Sequence, residues 1–203
     1  ALRRGKGRIA SSMDSGQHAS HKRSGFFGGL LKFVGLIVVV IALSFGLRTF
    51  VFQAYEIPSG SMEETIQTGD MVFAEKVSYY MRDVEQGDIV TFNDPLSPGR
   101  VLIKRVIAVG GQTVDINDED GYVYVDGEPL AEPYTDGLPS YRLENSIANV
   151  TYPYTVPGGE LWVMGDNRIN SQDSRYFGSI DEDSVTGRGV LIYWPLDHFG
   201  LLE

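Results

Sequence analysis

The sequence predicts a mainly β protein: an antiparallel β domain with a small β insertion, preceded by one N-terminal transmembrane helix. Two observations carry this. Phe26 to Leu47 is an apolar run of 22 residues with a single charge, Lys32. Beyond Phe52 helical periodicity disappears, and short runs rich in Val, Ile, Phe and Tyr alternate with turn signals, in a chain that holds 24 Gly and nine Pro.

As a helix, 22 residues span roughly 33 Å, the thickness of a bilayer's hydrocarbon core. Lys32 lies near one end and can snorkel to the headgroups, and Arg48 marks the other end. A cleavable signal peptide shares this pattern, but cleavage after Ala54 would put Phe52 at −3, where a small residue is needed. A buried core helix is the remaining reading, and the run is too continuously apolar for one face. Residues 1–32 carry seven Lys/Arg and one acid, Asp14, whereas residues 33–203 carry ten Lys/Arg and 26 acids. The positive-inside rule then makes residues 1–25 a basic cytoplasmic arm, 26–48 a single span of the cell membrane and 49–203 an extracytoplasmic domain. Thr49-Phe50-Val51-Phe52 stays apolar past Arg48, so that domain is expected to begin at the membrane surface.

Within the outer domain, strands are expected at Met71–Ala74, Ile89–Phe92, Val101–Val109, Leu161–Met164 and Gly189–Trp194. Tyr122 to Val125, Asp126-Gly127 and Glu128-Pro129-Leu130 read as a hairpin on an Asp-Gly turn. Ser78 to Asp83 reads as a short helical or loop excursion. Residues 111–158, rich in acids, Tyr and Pro, read as an inserted subdomain, with a flexible linker as the alternative.

Composition removes several chemistries. There is no cysteine, so thiol nucleophiles, disulfides and thiolate metal sites are excluded. Of three histidines, two (His18 and His21) lie in the basic arm, so a Ser-His-Asp triad could use only His198. No metal or cofactor is expected. The acidic main domain argues against nucleic acid as a partner, because phosphate binding needs a basic surface.

The remaining chemistry centres on serine and lysine. Ile57-Pro58-Ser59-Gly60-Ser61-Met62 puts two hydroxyls on a Pro/Gly-constrained turn. Such a turn can expose a hydroxyl and aim backbone N–H groups at one point, although Ser-rich turns are also common without function. A serine needs a base. Beyond the apolar run there are two lysines, Lys76 and Lys104. By strand alternation Lys104 shares its face with Leu102, Val106 and Ala108, a setting that favours the neutral amine and can make it a base near neutral pH. Snorkelling from an edge strand, or pairing with an acid, are the other outcomes for Lys104. Arg105 faces the opposite way, as a structural ion-pair partner. Gly165-Asp166-Asn167-Arg168-Ile169-Asn170-Ser171-Gln172-Asp173-Ser174-Arg175 follows an apolar strand. It can be a hydrogen-bonded loop that orients a lysine amine, a solvated turn or a cation loop, though it lacks the closing Glu of an EF-hand.

In this order along the chain the pieces resemble the type I signal peptidases. The resemblance lies in Pro58-Ser59-Gly60-Ser61-Met62, Ile103-Lys104-Arg105-Val106-Ile107, and Gly165-Asp166-Asn167-Arg168 with Asn170-Ser171, Asp173-Ser174-Arg175 and Gly178. Arg48-Thr49-Phe50-Val51-Phe52, Gly87-Asp88-Ile89-Val90 and Tyr193-Trp194-Pro195 extend it over residues 26–203. The resemblance implies a Ser61 nucleophile and a Lys104 general base. It implies an oxyanion hole from the Ser61 N–H and the Ser59 hydroxyl, and a lysine amine oriented by Ser171, with Asp173 supporting that loop. Ile57, Met62, Ile66 and Ile103 would wall shallow pockets that admit small side chains at −1 and −3. The substrates would be secretory preproteins bound as an added strand, and the enzyme a membrane-bound monomer. Two departures stand out: Glu63-Glu64-Thr65 where the family often has Pro-Thr after the serine motif, and Gln86 where an arginine is usual. A pilin-dedicated signal peptidase and a non-catalytic, membrane-tethered peptide-binding domain are the competing functions.

Overall fold

The computed structural model describes residues 24–202; the basic arm up to residue 23 lies outside the described residues. Ser24–Phe50 form one α-helix, α1. It contains no proline, and a helix satisfies its backbone polar groups internally, as an apolar solvent requires. Residues 28–46 are long and apolar enough to cross a membrane, and the side chains of 28–45 are exposed on all sides.

The chain after α1 forms twelve strands. The main sheet uses β1 (Phe52–Glu56), β2 (Met71–Glu75), β3 (Ile89–Asn93), β4 (Val101–Val109), β9 (Glu160–Met164), β10 (Ile180–Asp181), β11 (Val185–Trp194) and β12 (Gly200–Leu201). Its order is β1-β2-β11-β3-β4-β9-β10, with β12 also on β11, and every pairing is antiparallel. A second sheet, ordered β7-β6-β5-β8, uses β5 (Thr113–Ile116), β6 (Val123–Val125), β7 (Glu128–Pro129) and β8 (Tyr154–Thr155). The chain is therefore mainly antiparallel β, as its turn spacing predicts. The Asp126-Gly127 hairpin forms with φ of 54° and 85°, left-handed values that Asp tolerates and Gly adopts without strain. Ser78–Tyr80 is a single 3₁₀ turn.

The strands place the core by alternation. In β9, Leu161 and Val163 join Val84, Val90, Phe92, Val106 and Ile180 in one cluster. Trp162 and Met164, pointing the other way, join Ile107, Ala108, Val114, Ile116, Val123, Val125 and Val156. The second cluster takes side chains from both sheets, so residues 113–155 are packed onto the main sheet rather than strung as a linker. Tyr152 and Tyr154 flank the Trp162 ring at 5.9 and 4.9 Å between centroids.

Strict alternation fails at one point in β4. Val106 pairs with Val163 but Ala108 pairs with Trp162, a β-bulge that consumes one residue. Ala108 consequently leaves the side occupied by Leu102 and Val106 and joins the intersheet core with Ile107. The face expected to be shared by Lys104 thus ends at Val106.

Because Trp162 is fully buried between the sheets, Trp162→Ala is expected to lower stability by about 3–5 kcal/mol. Urea unfolding followed by circular dichroism checks this.

Candidate active site

Pro58 fixes one backbone dihedral ahead of Ser59, which is extended at φ −142° and ψ 152°. Gly60–Met62 then close a 3₁₀ turn. The Met62 carbonyl accepts hydrogen bonds from Thr65 N (3.1 Å) and Ile66 N (2.7 Å), and the Met62 and Ile66 side chains are fully buried. These anchors hold the turn against β4. From the loop after β9, Asn167 N donates to Ser61 O at 3.2 Å and Asn167 Nδ2 to Gly60 O at 2.9 Å.

The strand and the turn bring the two predicted reactive groups together. Lys104 Nζ donates to Ser61 Oγ at 2.7 Å and to the Ile103 carbonyl at 2.9 Å. Lys104 is 3% exposed and Ser61 9%. Loss of solvent penalises the ammonium and lowers the Lys104 pKa from 10.5 to about 8, and the positive charge of Arg100 acts in the same direction. The carboxylates of Asp173, Asp166 and Asp94 oppose it. All three of those acids are paired with arginines, Asp94 with Arg100 at 3.6 Å. Arg105 Nε and Nη2 hold Asp166 at 2.9 and 2.8 Å, and Arg175 Nε and Nη2 hold Asp173 at 2.9 Å each. Burial pushes the Asp173 pKa up, but the Arg175 charge and hydrogen bonds outweigh it and keep the carboxyl below its usual range.

Residues 165–175 form a buried, ion-paired loop rather than a solvated turn. Asp173 caps the one-turn helix α2 (Ser174–Phe177), accepting from Arg175 N, and also accepts from Gly165 N at 3.1 Å. Ser174 Oγ accepts from Val163 N at 2.9 Å. Arg168 is paired in bidentate fashion with Glu132 and donates to Ser140 Oγ at 2.7 Å. Gly165 is a steric requirement, because a Cβ there would overlap both the Ser61 carbonyl oxygen and Ser171 Oγ.

The other predicted site residues fall in three places. Ser171 Oγ is buried beside Gly165, where its hydroxyl helps to keep the Asp173 pKa low, and it makes no hydrogen bond to Lys104. Ser59 is exposed next to the turn, and its side chain makes no capping bond. Ile57, Met62, Ile66 and Ile103 share one cluster with Val72, Ile89, Ile192 and Leu202. There Met62 and Ile66 present no surface, while Ile57 is 3% and Ile103 9% exposed. They form the floor beneath the turn. Among the described residues no group of three or more His, Cys, Asp or Glu could hold a metal ion.

Sequence reasoning passed over Asn167, Glu132 and Tyr134. Asn167 carried a signal, since it sits inside the motif beside Asp166. Glu132 carried none, because its partner Arg168 lies 36 residues away in a different sheet's loop.

Residues 30–194 match the family described as signal peptidase, peptidase S26. The chain belongs to that family. Relatives in the signal peptidase family include a probable signal peptidase I-2 from Synechocystis, 40% identical over 82% of this chain and 74% of the relative. A signal peptidase I from Leptolyngbya laminosa is 37% identical over 85% of this chain and 82% of its own. One from Mycobacterium tuberculosis H37Rv is 32% identical over 86% and 76%. A signal peptidase I of known crystal structure, from Enterococcus faecalis V583, is 31% identical and covers 53% of this chain and 97% of its own, with a TM-score of 0.43. As a signal peptidase family member, the chain is a serine endopeptidase.

Two expectations follow from this geometry. Gly165→Ala pushes Ser61 and Ser171 apart, and peptidase activity is expected to fall roughly 100-fold or more while the far-ultraviolet dichroism is retained. Lys104→Met removes a buried amine whose pKa is depressed from 10.5 to about 8. Between those values the unfolded chain binds the extra proton, so the Lys104 penalty is full below pH 8 and fades as pH rises to 10.5. The variant is therefore expected to be more stable than the parent at pH 7, by up to about 3 kcal/mol less the lost Ser61 bond, and to lose that advantage near pH 10.5. Urea midpoints at the two pH values measure it.

Proposed function

We propose that this protein is a membrane-anchored endopeptidase that removes N-terminal signal peptides from exported preproteins after small residues at −3 and −1. Ser61 is the nucleophile and Lys104 the general base. The observation that carries the reading is the 2.7 Å approach of a buried lysine amine to a serine hydroxyl. With a pKa of about 8, roughly a tenth of the amine is neutral at pH 7, against about 0.03% for a free lysine.

The neutral amine accepts the Ser61 proton as Oγ attacks the scissile carbonyl carbon. The oxyanion that develops is met by the Ser61 N–H and by the Ser59 hydroxyl, which makes no capping bond to the turn. The Lys104 ammonium then returns its proton to the departing amine, the new N-terminus of the mature protein. A water molecule, deprotonated by the same amine, attacks the Ser61 ester; the ester C–O bond breaks, Ser61 Oγ regains a proton from Lys104, and the signal peptide leaves with a free C-terminal carboxylate. The Ser171–Asp173 loop backs the pair: Gly165 sits between Ser171 Oγ and the Ser61 carbonyl, and the Asp173 charge acts on the amine. The helix α1 supplies the single membrane anchor; the basic arm remains in the cytoplasm and the catalytic domain works outside as a monomer.

Ser61→Ala and Lys104→Ala are each expected to reduce preprotein cleavage about 10³-fold or more without unfolding the protein. In the parent, kcat/KM should rise with pH through about 8, because the productive form of Lys104 is the deprotonated one. Cleavage of an exported preprotein and of a pilin-like substrate, each followed by gel across pH 6–10, checks both; robust turnover by Lys104→Ala would refute the mechanism.

A further inference from the structure

The guanidinium of Arg168 is fully buried. An arginine does not shed its charge, so a buried one needs a carboxylate and partners for its five N–H donors. Three sources take up four of those of Arg168. Glu132 accepts from Nη1 at 2.8 Å and also from Nη2, Ser140 Oγ accepts from Nη1 at 2.7 Å, and the Gly165 carbonyl accepts from Nε at 3.1 Å. Glu132 and Ser140 lie between β7 and β8, in the chain that carries the second sheet. Tyr134, on the same segment, donates to Glu132 at 3.1 Å and lays its ring 3.9 Å from the Arg105 guanidinium, whose partner is Asp166.

The far side of this arrangement is the reactive pair. Gly165, held through its carbonyl by Arg168, faces the Ser61 carbonyl oxygen and Ser171 Oγ with no room for a methyl group. The Arg168 carbonyl accepts from Arg175 Nη2 at 2.7 Å, and Arg175 holds Asp173. One carboxylate from the second sheet's segment therefore fixes the Arg168 guanidinium that holds Gly165, and the Arg168 backbone carbonyl ties the same residue to Arg175 and Asp173 at the loop's other end.

We infer that Glu132 is a positioning residue for the reaction: through Arg168 it sets the placement of Gly165, Ser171 and Asp173 against the Ser61–Lys104 pair. The second sheet thereby takes part in catalysis without touching substrate. This inference rests on the Ser61–Lys104 reading above. A charge pair suits the task because its bidentate geometry fixes orientation as well as distance, while an apolar contact would allow sliding.

The test uses the full chain in detergent micelles and a preprotein with Ala at −3 and −1. Glu132→Gln is expected to lower kcat roughly 10- to 100-fold with KM little changed, as for a misplacement of reacting groups by about 1 Å. The rise of kcat with pH should also move upward from about 8, because a loosened loop admits solvent to Lys104. Ser140→Ala, which removes one bond to Arg168, should shift both quantities in the same sense by less. Arg142→Ala, which breaks an exposed pair with Asp115 on the same sheet, should change neither. A folded Glu132→Gln with parental kcat and pH profile overturns the inference. So does a loss of kcat that merely tracks the unfolded fraction with the profile unmoved. Where Glu132→Gln folds poorly, a folded Ser140→Ala with both quantities unchanged overturns it as well. Full activity of Ser61→Ala in the same assay would instead sink the Ser61–Lys104 reading, and this inference with it.

Discussion

Lys104 Nζ occupies a place where its charge is costly. Its strand is buried on both sides from Ile103 to Ala108, and the amine finds one hydroxyl and one carbonyl in place of water. Its nearest acids would normally restore the ammonium, since an opposite charge within a few ångströms favours the ionised form. Asp173 and Asp166 act in that direction, but burial outweighs them and the pKa stays low, at about 8. Each of these acids is held by an arginine in a two-bond pair. The pairs fix the carboxylates that build the site, and burial keeps the amine readily deprotonated.

This explains a feature that stability alone does not. Buried ion pairs contribute little net free energy, because desolvation offsets their attraction. Three arginines of this domain are nonetheless among its largest fully buried side chains or close to it: Arg105, Arg168 and Arg175. All three converge on residues 165–175. A purely apolar core could hold that loop at comparable cost, but it would not dictate where each backbone carbonyl points. Here the Gly165 and Arg168 carbonyls are each taken by a specific guanidinium nitrogen.

The parts legible in the sequence are those where local chemistry and tertiary packing agree. Lys104 stood out as a lone amine in an apolar strand, and the Asp126-Gly127 turn needs only its own two residues. Other parts were hidden for definite reasons. Phe52–Glu56 is not among the expected strands, yet it forms edge strand β1. The bulge after Val106 leaves no mark in a sequence whose residues on both sides are apolar, so Ala108 was placed on the wrong side. The four isoleucine and methionine side chains expected as pocket walls fall in one buried cluster, but a sequence pattern does not reveal depth, and two of them have no exposed surface. The pair Glu132–Arg168 joins segments that only the two-sheet core brings together.

That core also accounts for how such a site can persist. Asn167 Oδ1 is buried without a hydrogen-bond partner beside the turn that carries Ser61. Such an orphaned polar atom costs on the order of 1–3 kcal/mol, and the depressed amine adds a similar penalty. A small turn could not sustain this by itself. It is sustained because Met62 and Ile66 below the turn, and Trp162 and Ile107 beyond the loop, are fully buried in clusters that would have to open for the site to relax. The unfavourable groups and the apolar anchors are thus one cooperative unit. The placement of Ser61 therefore depends on side chains of both clusters, Trp162 and Ile107 in the intersheet core included.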